Sequence, residues 1–292
     1  MISYNPKHWF RFLFNFHKGD TLRQLVVFVF LISAYSGLIA YLELEYWNLS
    51  KDSNISRLSL LHNLLGFVLS LLLVFRTNTA YDRWWEGRKL WGSLVNNSRN
   101  LALKLNALLK HENLDDRRFF RRMIPLFASV LRDHLALETT RLALDSADHP
   151  ELASLDKNKH VPNQVVSLIT QRIYTMQKDG TIDGYQLMTI NSELQSFAEI
   201  CGACERIKNT PIPFSYSTFV KKFIFIYVVT LPFGFVFSLG YWVIPVVAFI
   251  FYVLASLEVI AEEIEDPFGG DENDLPTQKI AANIKRNIED IL

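Results

Sequence analysis

From Phe223 to Leu257 the chain runs 35 residues without a charge. As one helix that run would be about 52 Å long at about 1.5 Å per residue, whereas a bilayer core about 30 Å thick is crossed by about 20 apolar residues. A soluble fold would have to bury it on every side. The run is therefore predicted to cross a membrane twice, over 223–240 and 242–258, turning at Gly240, Tyr241 and Pro245.

Two further stretches have the same character. Leu25 to Leu42 is uncharged and stays apolar through Tyr46 and Trp47, aromatic residues suited to a membrane interface, which predicts a first span over 25–47. Leu58 to Phe75 has His62 as its one titratable residue and is bracketed by Arg57 and Arg76, which predicts a second span over 58–75. Lys7, Arg11, Lys18 and Arg23 precede the first span, Arg76, Arg83, Arg88 and Lys89 follow the second, and Arg206, Lys208, Lys221 and Lys222 precede the third. The opposite side carries Lys51 and Arg57 beside Glu43, Glu45 and Asp52. This asymmetry predicts that both termini, and everything between spans two and three, are cytoplasmic. The aromatic run from His8 to His17 is interrupted by charge, and no small-residue cleavage site follows it. It is expected to lie on the membrane surface or on the soluble part, within an N-terminal segment 1–24.

The 30 basic and 30 acidic residues balance, so no basic excess argues for nucleic acid. Cys201 and Cys204, the two cysteines, cannot build a disulfide framework and read as a small packed pair rather than a redox motif. The seven histidines are scattered and read as surface or packing residues. Nucleophile elbow, phosphate loop, dinucleotide fingerprint and HExxH are all absent, so no enzyme class with a local motif is supported.

Residues 76–218 read as a cytoplasmic helical domain. Leu90, Leu94, Leu101, Leu105 and Leu108 recur with helical spacing, as do Phe120, Ile124, Phe127, Leu131 and Leu135. The polar stretch Asp145 to Asn163 reads as a loop. Helices are predicted over 165–176 and 185–207, the latter stopped by Pro211 and Pro213. Residues 259–292 are taken as a cytoplasmic C-terminal segment. The fold class is thus an all-α membrane protein with four membrane helices and a cytoplasmic helical domain. Four helices from one chain rarely enclose a path, so a ring-shaped homo-oligomer is expected.

In the second span Phe67, Leu71 and Phe75 are spaced by four and share one helix face, beside a Gly66 and Ser70 row of small residues. Immediately downstream comes Phe75-Arg76-Thr77-Asn78-Thr79-Ala80-Tyr81-Asp82-Arg83-Trp84-Trp85-Glu86-Gly87-Arg88. This resembles the end of the second helix in the bestrophin family, with its Arg-Trp-Trp motif. Cys204-Glu205-Arg206-Ile207 followed by Thr210-Pro211-Ile212-Pro213 is similar to the segment that enters the third span of bacterial members. Asp266-Pro267-Phe268-Gly269 with its acidic run resembles the family segment after the fourth.

The resemblance implies a homopentameric ion channel of the bacterial inner membrane, passing small monovalent ions: chloride as in animal members, or cations as in some bacterial ones. It implies a hydrophobic neck at Phe67, Leu71 and Phe75, a cytoplasmic aperture at Tyr185, and Arg83, Trp84 and Trp85 as family motif. No cofactor is implied beyond calcium. For calcium, Asp271 and Asp274 keep two of the family's carboxylates, while Gly270 and Asn273 replace acidic positions, so binding is expected to be weak at most. A secondary transporter or a membrane scaffold is the alternative. The spans' lack of charge favours a passive pore, although Pro232 and Gly234 leave room for a broken third span.

Overall fold

The computed structural model describes residues 21–47, 58–136, 156 and 159–292. The predicted surface segment at His8–His17 and most of the loop expected over Asp145–Asn163 lie outside these. In order, the helices are α1 (Thr21–Tyr41, continued by a π-helical turn Leu42–Tyr46), α2 (Leu58–Leu108), α3 (Leu114–Ala136), α4 (Val161–Lys178), α5 (Gly184–Asn209), α6 (Phe214–Leu239), α7 (Val243–Glu265) and α8 (Thr277–Ile291). Among the described residues there is no strand.

The chain forms two compact units that interleave along the sequence: residues 2–83 with 211–265, and residues 84–210 with 266–292. Three apolar helical stretches, Thr21–Tyr46, Leu58–Leu108 and Phe214–Glu265, are long enough to cross a membrane. The last divides at a 3-10 turn, Gly240–Trp242, into α6 and α7, which pack against each other. Gly240 makes this possible with a φ of 55°, a conformation that costs glycine little. The predicted hairpin is therefore present, with the turn at Gly240 and Tyr241 and with Pro245 in the first turn of α7.

In the first unit α1 packs along α7, tied by the Thr21 hydroxyl to Ser256 Oγ at 2.8 Å and by Gln24 to Glu263 at 2.9 Å. Its core gathers Leu69 and Leu73 of α2 with Val220, Ile224, Val228 and Leu231 of α6 and Val243 and Val247 of α7. Much of the remaining surface is apolar, including Phe28, Phe30, Leu64, Phe225 and Phe249. Water would penalise that surface and hydrocarbon would not.

The second unit has a conventional buried core. Leu94, Leu101 and Leu105 of α2 meet Phe120, Ile124, Phe127 and Leu131 of α3, and Val165, Ile169 and Ile173 of α4. These are the positions whose spacing predicted helices. Three boundaries differ from expectation. The helix that carries the second predicted span does not end at Phe75: α2 is unbroken over 51 residues, about 77 Å, and belongs to both units. α4 begins at Val161 with Pro162 in its first turn, where a missing N–H costs nothing, so the expected loop ends earlier. Residues 277–291 form α8, whose Ala281, Ile284 and Ile288 are buried and which packs on α3.

Candidate functional site

Along α2, Phe67, Leu71 and Phe75 are 69%, 47% and 56% exposed, whereas Leu69 and Leu73 are 0% and 2% exposed. Side chains two positions apart point about 200° away from each other around a helix. One face is thus buried, and the Phe-Leu-Phe face is left exposed by the described residues. The small-residue row is used within the chain: a Cβ at Gly66 would lie 2.7 Å from the Tyr227 hydroxyl of α6, and the Ser70 hydroxyl donates to the Gly66 carbonyl at 2.8 Å. Gly66 therefore serves an α2–α6 contact inside one protomer.

The third predicted span is not broken, since α6 is continuous through Pro232. Gly234 instead admits the start of α2, where a Cβ would meet the Ser59 nitrogen at 3.0 Å and His62 Nδ1 at 3.2 Å. His62 is buried, with Nδ1 2.7 Å from the Leu58 carbonyl and Nε2 2.9 Å from the Thr230 hydroxyl. Glu43, expected among the outer charges, is fully buried on the π-helical turn, with neither carboxylate oxygen hydrogen-bonded among the described residues.

Arg76 does more than flank a span. It is buried, with Nε 3.4 Å from Glu258 and Nη2 2.7 Å from Glu265, and Glu265 also accepts from the Ile212 backbone N–H at 2.6 Å. The two carboxylates lie seven positions apart after the last apolar run, and nothing local in the sequence pairs them with Arg76. Next along α2, Arg83 Nε donates to the Glu265 carbonyl at 3.0 Å. In the second unit Trp84 Nε1 donates to the Asn273 carbonyl at 3.1 Å, and Gly87 lets α2 close on Pro267, Phe268 and Leu275, each 3.1–3.3 Å from a would-be Cβ. Trp85 remains largely exposed. The Trp-Trp-Glu-Gly and Pro-Phe-Gly segments, 180 residues apart, are thus packing partners.

In the acidic loop Asp274 turns inward. Its Oδ2 accepts backbone N–H groups of Gly270 and Asp271 at 2.5 and 2.6 Å, closing the loop on itself. Burial pushes its carboxyl up to about 6, although the two backbone bonds oppose this and neighbouring Asp271 and Asp266 add to it. Asp271 is exposed. Among the described residues the loop gathers no group of three acidic or imidazole donors. Tyr185 is 84% exposed in the first turn of α5, whose start is fixed by reciprocal Asp183 and Gln186 capping bonds.

Cys201 and Cys204 are buried in the second unit's core, as expected of a packed pair, and burial pushes the Cys201 thiol up to about 12. The histidines are not all incidental, however. His134 and His160, 71 and 45 positions from Glu205, converge on its carboxylate. Neither separation leaves a local signal to read.

A model of the bacterial/fungal bestrophin proteins matches residues 1–290. The chain belongs to this bestrophin family. A Nostoc relative named a voltage-dependent anion channel-forming protein is 36% identical, over 98% of this chain and 92% of its own. A Ralstonia nicotianae protein of the same name is 31% identical over the same shares. Among solved structures, a bestrophin homolog from Klebsiella pneumoniae carrying a point substitution is 26% identical, with a TM-score of 0.79 over 92% of this chain and 98% of that one. This bestrophin therefore shares both sequence and helical arrangement with its relatives across nearly its whole length.

Proposed function

We propose that the protein is an anion-conducting channel, a ring of five copies in the bacterial inner membrane with both termini cytoplasmic. Phe67, Leu71 and Phe75 of each α2 line an apolar neck, and Tyr185 lines a second, cytoplasmic constriction. Calcium, if bound at Asp271 and Asp274, is held weakly. The observation that carries the reading is the exposed row at Phe67, Leu71 and Phe75 on a helix whose opposite face is packed. A ring of such faces makes a narrow apolar passage that gates by dewetting. The sign of the ion rests on the relatives' names, because an apolar lining does not itself choose a charge.

The test is recording in planar bilayers. Changing Phe67, Leu71 and Phe75 to Ala widens the neck and removes most of its apolar lining, so unitary conductance and open probability should rise. Leu69→Ala with Leu73→Ala should instead cost stability, about 2–5 kcal/mol for each buried leucine, and leave unitary current unchanged. An intact oligomer of the triple variant with wild-type current would mean that the row faces lipid. Reversal potentials across a potassium chloride gradient fix the ion's sign, and a cation-selective potential would overturn the anion reading.

A further inference from the structure

The end of α3, the residue before α4 and the last third of α5 meet at one point. His134 Nε2 lies 2.6 Å and His160 Nε2 2.5 Å from the same oxygen of Glu205, Oε1. The imidazole centroids are 4.6 Å apart, and one donor atom from each of the three residues falls within 4.8 Å of the others. All three side chains are partly exposed, between 23% and 33%, so an ion from solvent can reach them. Behind Glu205, one helical turn earlier on α5, lies the buried Cys201.

We propose that His134, His160 and Glu205 form a binding site for a divalent transition-metal ion of the zinc class, with the fourth position left to water. The donor set decides the class: two imidazoles and a carboxylate suit zinc, whereas calcium and magnesium prefer all-oxygen shells. A tetrahedral ion with bonds of about 2.0–2.1 Å sets its ligand atoms about 3.3 Å apart. To reach that spacing from their present 2.6 and 2.5 Å, the two imidazole nitrogens must draw back from the carboxylate oxygen by about 0.7–0.8 Å.

Binding has a local cost. His160 Nδ1 accepts the Asn163 backbone N–H at 3.2 Å as the N-cap of α4, so in the metal-free state the His160 proton sits on Nε2. Metal on Nε2 moves that proton to Nδ1 and opens the cap. One capping bond is a small loss beside a metal–imidazole bond, and it makes the start of α4 the element that responds to the ion. The site joins the two ends of the segment between α3 and α4, and it does not depend on the conduction reading.

The experiment uses the full-length detergent-purified oligomer stripped with chelator and titrated calorimetrically with zinc chloride. One zinc per chain should bind, and Glu205→Gln, which can still hydrogen-bond both imidazoles, should weaken it at least ten-fold without changing elution volume. His134→Ala with His160→Ala should abolish it. Cobalt(II) gives a readout independent of heat: the intense visible bands of a four-coordinate ion should appear in the wild type and be lost in Glu205→Gln. A flat zinc isotherm, or binding and cobalt bands unchanged in Glu205→Gln, would overturn the proposal and leave a hydrogen-bonded His-Glu-His cluster.

Discussion

Arg76 shows how one residue can change meaning between sequence and structure. As a letter after an apolar run it sets orientation, which is a property of the chain's surroundings. In the fold it is a buried cation whose charge is balanced by Glu258 and Glu265. Ions withdrawn from water are tolerated because they partner one another, and removing Arg76 leaves the two carboxylates uncompensated. Arg76→Met should therefore destabilise the protein by about 3–5 kcal/mol, and adding Glu258→Leu should recover part of that loss. Thermal unfolding of the two variants checks this, and equal melting temperatures would mean that the pair is not coupled. The exposed row of Phe67, Leu71 and Phe75 was legible because a spacing of four is local, whereas this pair and the His134, His160 and Glu205 cluster were not, because their members meet only through tertiary packing.

Among the elements, those with a strong apolar period were read correctly and those defined by their neighbours were not. α3 and α5 announce themselves through repeated Leu, Ile and Phe. α8 falls in the segment 259–292, for which no helix is predicted, although Ile280, Ile284 and Ile288 recur every four residues. In 15 residues it has little intrinsic stability, and its packing on α3 makes it a helix worth keeping. α2 outlasts the apolar stretch of the second predicted span for a related reason: hydropathy reports where lipid stops, not where hydrogen bonding stops. Gly66 tests the contact between α2 and α6. Gly66→Ala places a methyl against the Tyr227 hydroxyl and should cost about 1–3 kcal/mol. Removing that oxygen with Tyr227→Phe should restore most of the loss, since the next ring atom would lie 3.4 Å away. Absence of rescue in a double-mutant thermal series would place the strain elsewhere.

For the molecule as a whole, the sequence supplied four apolar passes and a helical remainder, and the number of copies came only through the family resemblance. A protomer whose described residues leave Phe67, Leu71, Phe75 and Tyr185 exposed is expected to assemble, and native mass spectrometry of the detergent-purified protein should give a mass of five chains. A monomer would sink the channel reading. The interleaving of the two units has a consequence for biosynthesis. The unit containing α1 cannot close until α7 has been made, and α7 is separated from α1 by nearly the whole of the other unit. That other unit cannot cover α3 until α8, the last helix described, leaves the ribosome. Neither half can mature early on the nascent chain, so two incomplete cores must coexist until translation is almost over, and a chain that stops before Thr277 leaves both α3 and the cell's quality control facing an open apolar groove.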